Sequence, residues 1–253
     1  MEINKQFTEN FEKLMSENAA EALAYAMKIQ EENDNPELHV YIADALMTLD
    51  DFAGAVEEIN EGLAKGIKNK AFANSLKGEA LFYLERYEES REVFLEILAE
   101  NPNSFFAVAY LTDIDINLKN YTEGIERAEK VLASNTLNSR DAAYIQTNIG
   151  WINLKYLGKE EEAFVNFNNA KKLDDTLGTI YIGLGLYYLN KEEYEKALEN
   201  FEKAIELDEG TVEVYFNIGK CYKAMGQLED AFEYFKIVKQ YDENYPEIDK
   251  ELC

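Results

Sequence analysis

The chain has 253 residues, 47% hydrophobic and 30% charged, enough apolar material for a sizeable core and too much for a disordered composition. Acidic residues outnumber basic ones 50 to 25, a formal charge of −25 that sets the surface against nucleic acid and anionic membranes and favours neutral, apolar or basic partners. Cys221 and Cys253 supply neither a disulfide framework nor a metal-ligand spacing, no apolar run of roughly 18 residues is present, and Met1 to Phe7 lacks a basic-then-apolar leader, so a cytoplasmic protein without a membrane span is expected.

From the N-terminus onward the chain repeats. Ala22, Ala26 and Ile29 are the first residues in phase, followed by Ala43, Phe52 and Ala55, then Gly78, Tyr87 and Phe94. Tyr121 lies 34 residues after Tyr87; Ala163, Ala197 and Ala231 are 34 apart, as are Phe167, Phe201 and Phe235. Gly185 and Gly219 keep the same interval, whereas Gly150 lies 35 before Gly185, which calls for one inserted residue near Tyr156 to Lys159. The units begin near residues 2, 36, 71, 105, 143, 178 and 212, with a short tail over 246–253. Between the fourth and fifth the spacing stretches to 38, with Thr136 to Asp141 as the surplus. That surplus reads either as a longer loop or as a break between two sub-arrays.

Each unit reads as two amphipathic helices. In the last, Tyr215, Ile218, Gly219 and Tyr222 share one face of a helix over Val212 to Met225; Gly226 ends it, and a second follows over Leu228 to Tyr241. Small residues at one place in the second helix (Ala55, Gly124, Ala163, Ala197, Ala231) let two backbones approach, beside a turn aromatic (Phe52, Tyr87, Tyr121, Tyr194). Pro36, Pro102 and Pro246 all fall where the phase puts inter-repeat turns.

Tyr181, Leu184, Gly185 and Tyr188, then Ala197, Phe201 and Ala204, resemble the tetratricopeptide repeat (TPR), a 34-residue helical hairpin. The resemblance covers essentially the whole chain. It is weakest in the first unit and altered in the fourth, where Thr112 replaces the signature Gly and Asp115 the signature Tyr. It implies an all-α, right-handed superhelical solenoid of about fourteen helices, a single array over 1–253, and a protein-interaction scaffold or adaptor whose first helices line a concave groove. Carried over residue by residue, the groove positions are Phe72, Glu79 and Phe82; Phe106, Tyr110 and Asp113; Tyr144, Asn148 and Trp151; Ile182 and Leu186; and Phe216, Asn217 and Lys220, with Asp44 close by. The lysine, arginine and asparagine clamp that holds acidic tails is incomplete, since only Lys220 and Lys223 bring positive charge. A hydrophobic or basic polypeptide segment is therefore the expected partner.

No cofactor, metal site or catalytic set follows from the residues, and no enzyme is expected. The single histidine, His39, sits at a core-facing place, and Cys221 lies five repeats from it. Cys221 reads as a small buried hydrophobe and Cys253 as an exposed terminal thiol. Asp115, in an inward place normally aromatic, is open between a cation site and a hydrogen-bonded departure from the pattern. A self-assembling protein is the alternative, with Phe7, Phe11 and Leu14 of the first unit docking on a neighbouring copy to build a homo-oligomer.

Overall fold

The computed structural model describes residue 3 and residues 5–252, so Cys253 lies outside the described residues. The helices are α1 (Lys5–Glu17), α2 (Ala19–Asn33), α3 (Leu38–Thr48), α4 (Phe52–Lys65), α5 (Lys70–Tyr83), α6 (Tyr87–Glu100), α7 (Phe105–Asn117) and α8 (Tyr121–Ala133). They continue with α9 (Ser139–Ile152), α10 (Glu160–Leu173), α11 (Gly178–Asn190), α12 (Tyr194–Glu206), α13 (Val212–Ala224), α14 (Leu228–Tyr241) and the short α15 (Ile248–Glu251). No strand occurs among the described residues, and the fold is all-α. All three prolines lie between helices, as the phase requires.

Contacts group the chain into two compact units, Met1–Arg127 and Ala128–Cys253, and the division falls inside α8. In the N-terminal unit α3 packs on α4 and α5 on α6, while the first helices α3, α5 and α7 also reach one another in succession. The C-terminal unit repeats the scheme with α9 on α10, α11 on α12 and α13 on α14, and with α9, α11 and α13 in successive contact. Within each unit the second helices approach one another less closely, which puts the first helices on the inner side of each stack.

Local chemistry sets the helix ends. Asp51, Asn69, Ser104, Asn138 and Thr211 each accept a backbone N–H of the following first turn, as N-cap side chains do. Inside the hairpins a left-handed residue recurs: Asp50, Glu85, Lys119, Gly158, Glu192 and Gly226 all have φ between 59° and 79°. The next N–H closes the turn by reaching back five residues: Asp51 to the Leu46 carbonyl, Arg86 to Leu81, Asn120 to Asp115, Glu193 to Tyr188 and Gln227 to Tyr222. In the fifth hairpin Lys159 reaches back six, to Asn153, across a π-turn over Asn153–Leu157. The inserted residue read from the 35-residue spacing is thus taken up as a π-bulge, with the turn geometry unchanged. The surplus before α9 forms a loop that ends in the Asn138 cap.

Packing between the two helices of a hairpin explains the Gly phase. A Cβ on Gly78, Gly150, Gly185 or Gly219 would stand 2.8, 2.7, 2.5 or 2.6 Å from the ring of Phe94, Phe167, Phe201 or Phe235, each of them fully buried. Glycine there lets a whole phenylalanine ring lie against the facing backbone, and alanine would force overpacking.

Two polar core residues resolve in favour of structure. His39 is buried; its Nδ1 lies 2.7 Å from the Glu58 carboxylate and its Nε2 2.8 Å from the Gln30 amide, which joins α2, α3 and α4. Asp115 is fully buried in the N-terminal unit and lies between Arg91 Nε at 3.1 Å and Arg127 Nη1. Glu123 bridges the same arginines, at 2.5 Å to Arg91 and 3.3 Å to Arg127. The cations at Asp115 are therefore two guanidinium groups, and Gly124 leaves room for the carboxylate, since a Cβ there would sit 3.2 Å from Asp115. Phe7 and Phe11 are buried within their own unit, with Phe7 5.3 Å from the Tyr25 ring and Phe11 5.1 Å from Tyr41, while Leu14 is partly buried in the same cluster. Cys221 is buried, and burial pushes its thiol up to about 11.

Candidate binding face on the first helices

In the N-terminal unit α3, α5 and α7 carry Asp44, Glu79 and Asp113 in the same register of successive repeats, each partly buried. Burial, and then the nearby Glu79, raises Asp44 above the usual carboxylate range. Burial alone pushes Asp113 up to about 6. Among the described residues no lysine, arginine or histidine lies within 4.0 Å of any of the three. The contrast with Asp115, two residues from Asp113 on the same helix, is direct: one carboxylate is met by two arginines and the other by no cation at all.

Aromatic rings stand beside these acids. Phe72, Tyr83 and Phe106 are 48%, 50% and 39% exposed. Tyr83 stacks on Phe52 at 4.9 Å, and Phe82 is held edge-on by Tyr83, Tyr87 and Tyr110 at 5.6, 5.7 and 5.5 Å. Tyr110 stacks on Phe94 at 4.9 Å and touches Phe106 at 4.8 Å; burial, with Glu79 next, drives its phenol pKa up. Phe82 and Tyr110 are thus mainly wall, whereas Phe72 and Phe106 offer surface.

Two cavities open on this face. One, of about 630 Å³, lies between α1, α3 and α5, with Phe11, Met15, Val40, Tyr41 and Phe72 as its apolar lining and Glu12, Glu37 and Asp44 at its edges. The other, of about 380 Å³, is lined by Asp44, Met47, Leu76, Glu79 and Tyr83 among others, so Asp44 belongs to both. Phe11, Met15, Val40, Tyr41 and Tyr83 are absent from the sequence-derived set. The wall from α1 escapes notice because the first repeat carries little of the signature that sets register.

The C-terminal unit places its candidates differently. Tyr144 is exposed, while Asn148, Trp151 and Leu186 are half-buried. Trp151 packs edge-on against Phe167 at 5.5 Å, with Lys155 Nζ over its ring at 4.7 Å. Ile182 is buried, Phe216 is buried against Phe235 and Tyr245, and Asn217 is buried with its amide donating to the Glu213 carbonyl at 2.9 Å. These three present little surface to a partner. Lys220 is exposed, with Nζ 5.9 Å above the Phe216 ring. No group of three or more His, Cys, Asp or Glu able to hold a metal occurs among the described residues, and no described helix is long and apolar enough to cross a membrane.

A family model described as tetratricopeptide repeat matches residues 40–105, over α3 to the start of α7. The structure of a tetratricopeptide repeat protein from Parabacteroides merdae superposes with a TM-score of 0.72 at 18% identity, over 98% of this chain and 96% of that one. The chain is built of tetratricopeptide repeats. Other TPR-like neighbours include PilW, a widely conserved type IV pilus biogenesis factor, with a TM-score of 0.71 at 20% identity over 87% of this chain and all of that one. Pseudomonas aeruginosa pilF gives 0.72 at 13% identity, over 86% of this chain and 96% of that one. At such identities the likeness is one of fold. A second family model, Regulator of microtubule dynamics protein 1-3, matches residues 186–253 of the TPR chain, and a sequence search of curated proteins returns no match.

Proposed function

We propose that this TPR chain is a protein-interaction scaffold whose N-terminal unit holds a polypeptide segment bearing basic and apolar side chains along α3, α5 and α7. Tetratricopeptide arrays serve in general as scaffolds, without catalysis of their own. The observation that carries the finer reading is the row Asp44, Glu79 and Asp113, carboxylates drawn partly out of water without a cation from their own chain. Removing a carboxylate from water raises its free energy unless an opposite charge or hydrogen bonds replace the lost hydration. Lysine or arginine side chains of a partner would supply that charge, and the exposed rings of Phe72 and Phe106 would cover its apolar positions. The net charge of −25 would draw such a segment in from a distance.

The test is calorimetric titration with synthetic peptides of one apolar framework carrying lysine, glutamine or glutamate at the polar positions. Binding in the order lysine above glutamine above glutamate, reduced at high salt and by Asp44→Asn with Glu79→Gln and Asp113→Asn, supports the reading. Equal binding of the lysine and glutamate peptides would defeat it.

A further inference from the structure

The cavity between α1, α3 and α5 has no part in the fold's own packing signature, yet it is the larger of the two openings on the acidic face. Its floor and walls are carbon-rich: Phe11 and Val40 are buried and fix the base, Met15 and Tyr41 are partly buried, and Phe72 projects from the side. Charge at its edge is of one sign, since Glu12, Glu37 and Asp44 line it and no lysine or arginine does. Glu37 is partly engaged, accepting the Lys68 backbone N–H at 2.6 Å, which leaves Asp44 and Glu12 turned to an incoming group. A volume of about 630 Å³ exceeds what a single water site needs and suits one bulky side chain with part of its backbone.

We infer that this cavity is an anchor pocket for one large apolar side chain, aromatic or branched aliphatic, that a partner polypeptide carries next to lysine or arginine. The inference rests on the reading of the acidic face as a site for a basic segment and adds its specificity element. Apolar lining rewards the side chain through burial, and the acidic edge rewards its cationic neighbours. A neutral apolar segment would satisfy the first alone. An acidic one would meet Asp44, which burial already holds above the usual carboxylate range, and would be repelled. Asp44 also lines the adjoining cavity with Glu79, so a chain anchored at Phe72 would pass its next cationic residue directly to Glu79.

The methionines give a direct readout, because Met15 lines the anchor pocket and Met47 the adjoining one, while Met225 belongs to the C-terminal unit. The full chain, labelled with ¹³C at the methionine methyls, is titrated with short peptides of paired lysines flanking a central residue X, where X is Gly, Val, Leu, Phe or Trp. The expected result is saturable movement of the Met15 methyl resonance that grows with the size of X. Affinity should be about tenfold or more higher for Trp than for Gly, as burying a large side chain gives. Ser16→Trp, which fills the pocket from its exposed edge, should abolish the dependence on X; its fold is checked by helicity and melting. Asp44→Asn should weaken every peptide alike.

Lysine peptides that bind with an affinity independent of X, and leave Met15 unmoved, would overturn the anchor while sparing the acidic-face reading. Failure of all lysine peptides to bind would overturn both. A Met15 shift that follows the protein's own concentration without peptide would assign the pocket to a second copy of the chain and overturn the proposal.

Discussion

The same register of the first helices holds Asp44, Glu79 and Asp113 in the N-terminal unit and Trp151, Leu186 and Lys220 in the C-terminal unit. In the first set no cation among the described residues meets the carboxylates. In the second, lysines lie over aromatic rings, Lys155 on Trp151 and Lys220 on Phe216, and neighbouring apolar residues are taken up in packing. Some acids elsewhere are answered within the chain: Asp115 by two arginines, Glu160 and Glu161 by Lys191 at 3.0 Å each. A repeat fold fixes where side chains stand and leaves open what they meet.

The strongest way to sharpen the contrast is to make Asp115 resemble Asp113. Arg127→Met leaves a fully buried carboxylate with one arginine fewer, and a loss of about 3 kcal/mol in denaturant unfolding is expected. Adding Asp115→Leu should return most of that stability, because the buried charge goes with its partner.

Next in size is reversal of the face itself. Asp44→Lys, Glu79→Lys and Asp113→Lys together should cut affinity for lysine-bearing peptides about 100-fold, or nearly 3 kcal/mol. Trp151→Ala with Leu186→Ala should change it by less than about threefold. Equal losses from both sets would dissolve the distinction between the units.

The smallest expected effect concerns pH. Asp113 has an unfolded value of 3.8 and is raised to about 6 in the fold, so between those values the native state holds a proton that the unfolded chain has lost. Stability contributed by this group therefore falls as pH rises through that window and stays low above it. Asp113→Asn should remove that dependence and raise stability at pH 8, with no gain below pH 4, measured by denaturation at both values. The same proton should weaken binding of a lysine-bearing peptide below about pH 6 in the wild type, since a neutral carboxyl no longer attracts a lysine.

Much of this architecture was legible in the chain. Gly78, Gly150, Gly185 and Gly219 mark where a phenylalanine ring meets backbone, a local requirement that repeats with the fold, so they give the phase directly. Phe72, Glu79, Phe106 and Asp113 follow from that phase because first-helix positions face one way. The hidden parts depend on distant partners. Arg91 and Arg127 come to Asp115 from α6 and α8, and no local pattern announces them. Phe216 loses its surface to Tyr245, which arrives from beyond α14, and Ile182 is covered by packing within the C-terminal unit. The anchor cavity needs α1, whose sequence departs most from the repeat.

The π-turn after α9 has a practical consequence. Five hairpins close with a bond spanning five residues and one with a bond spanning six, yet all present a left-handed residue at the corner and a new helix directly after it. The corner, rather than the residue count, is what these six hairpins keep constant. Length changes at Asn153–Leu157 are accordingly a place where a designer could graft or trim residues and still hand the next helix on in step.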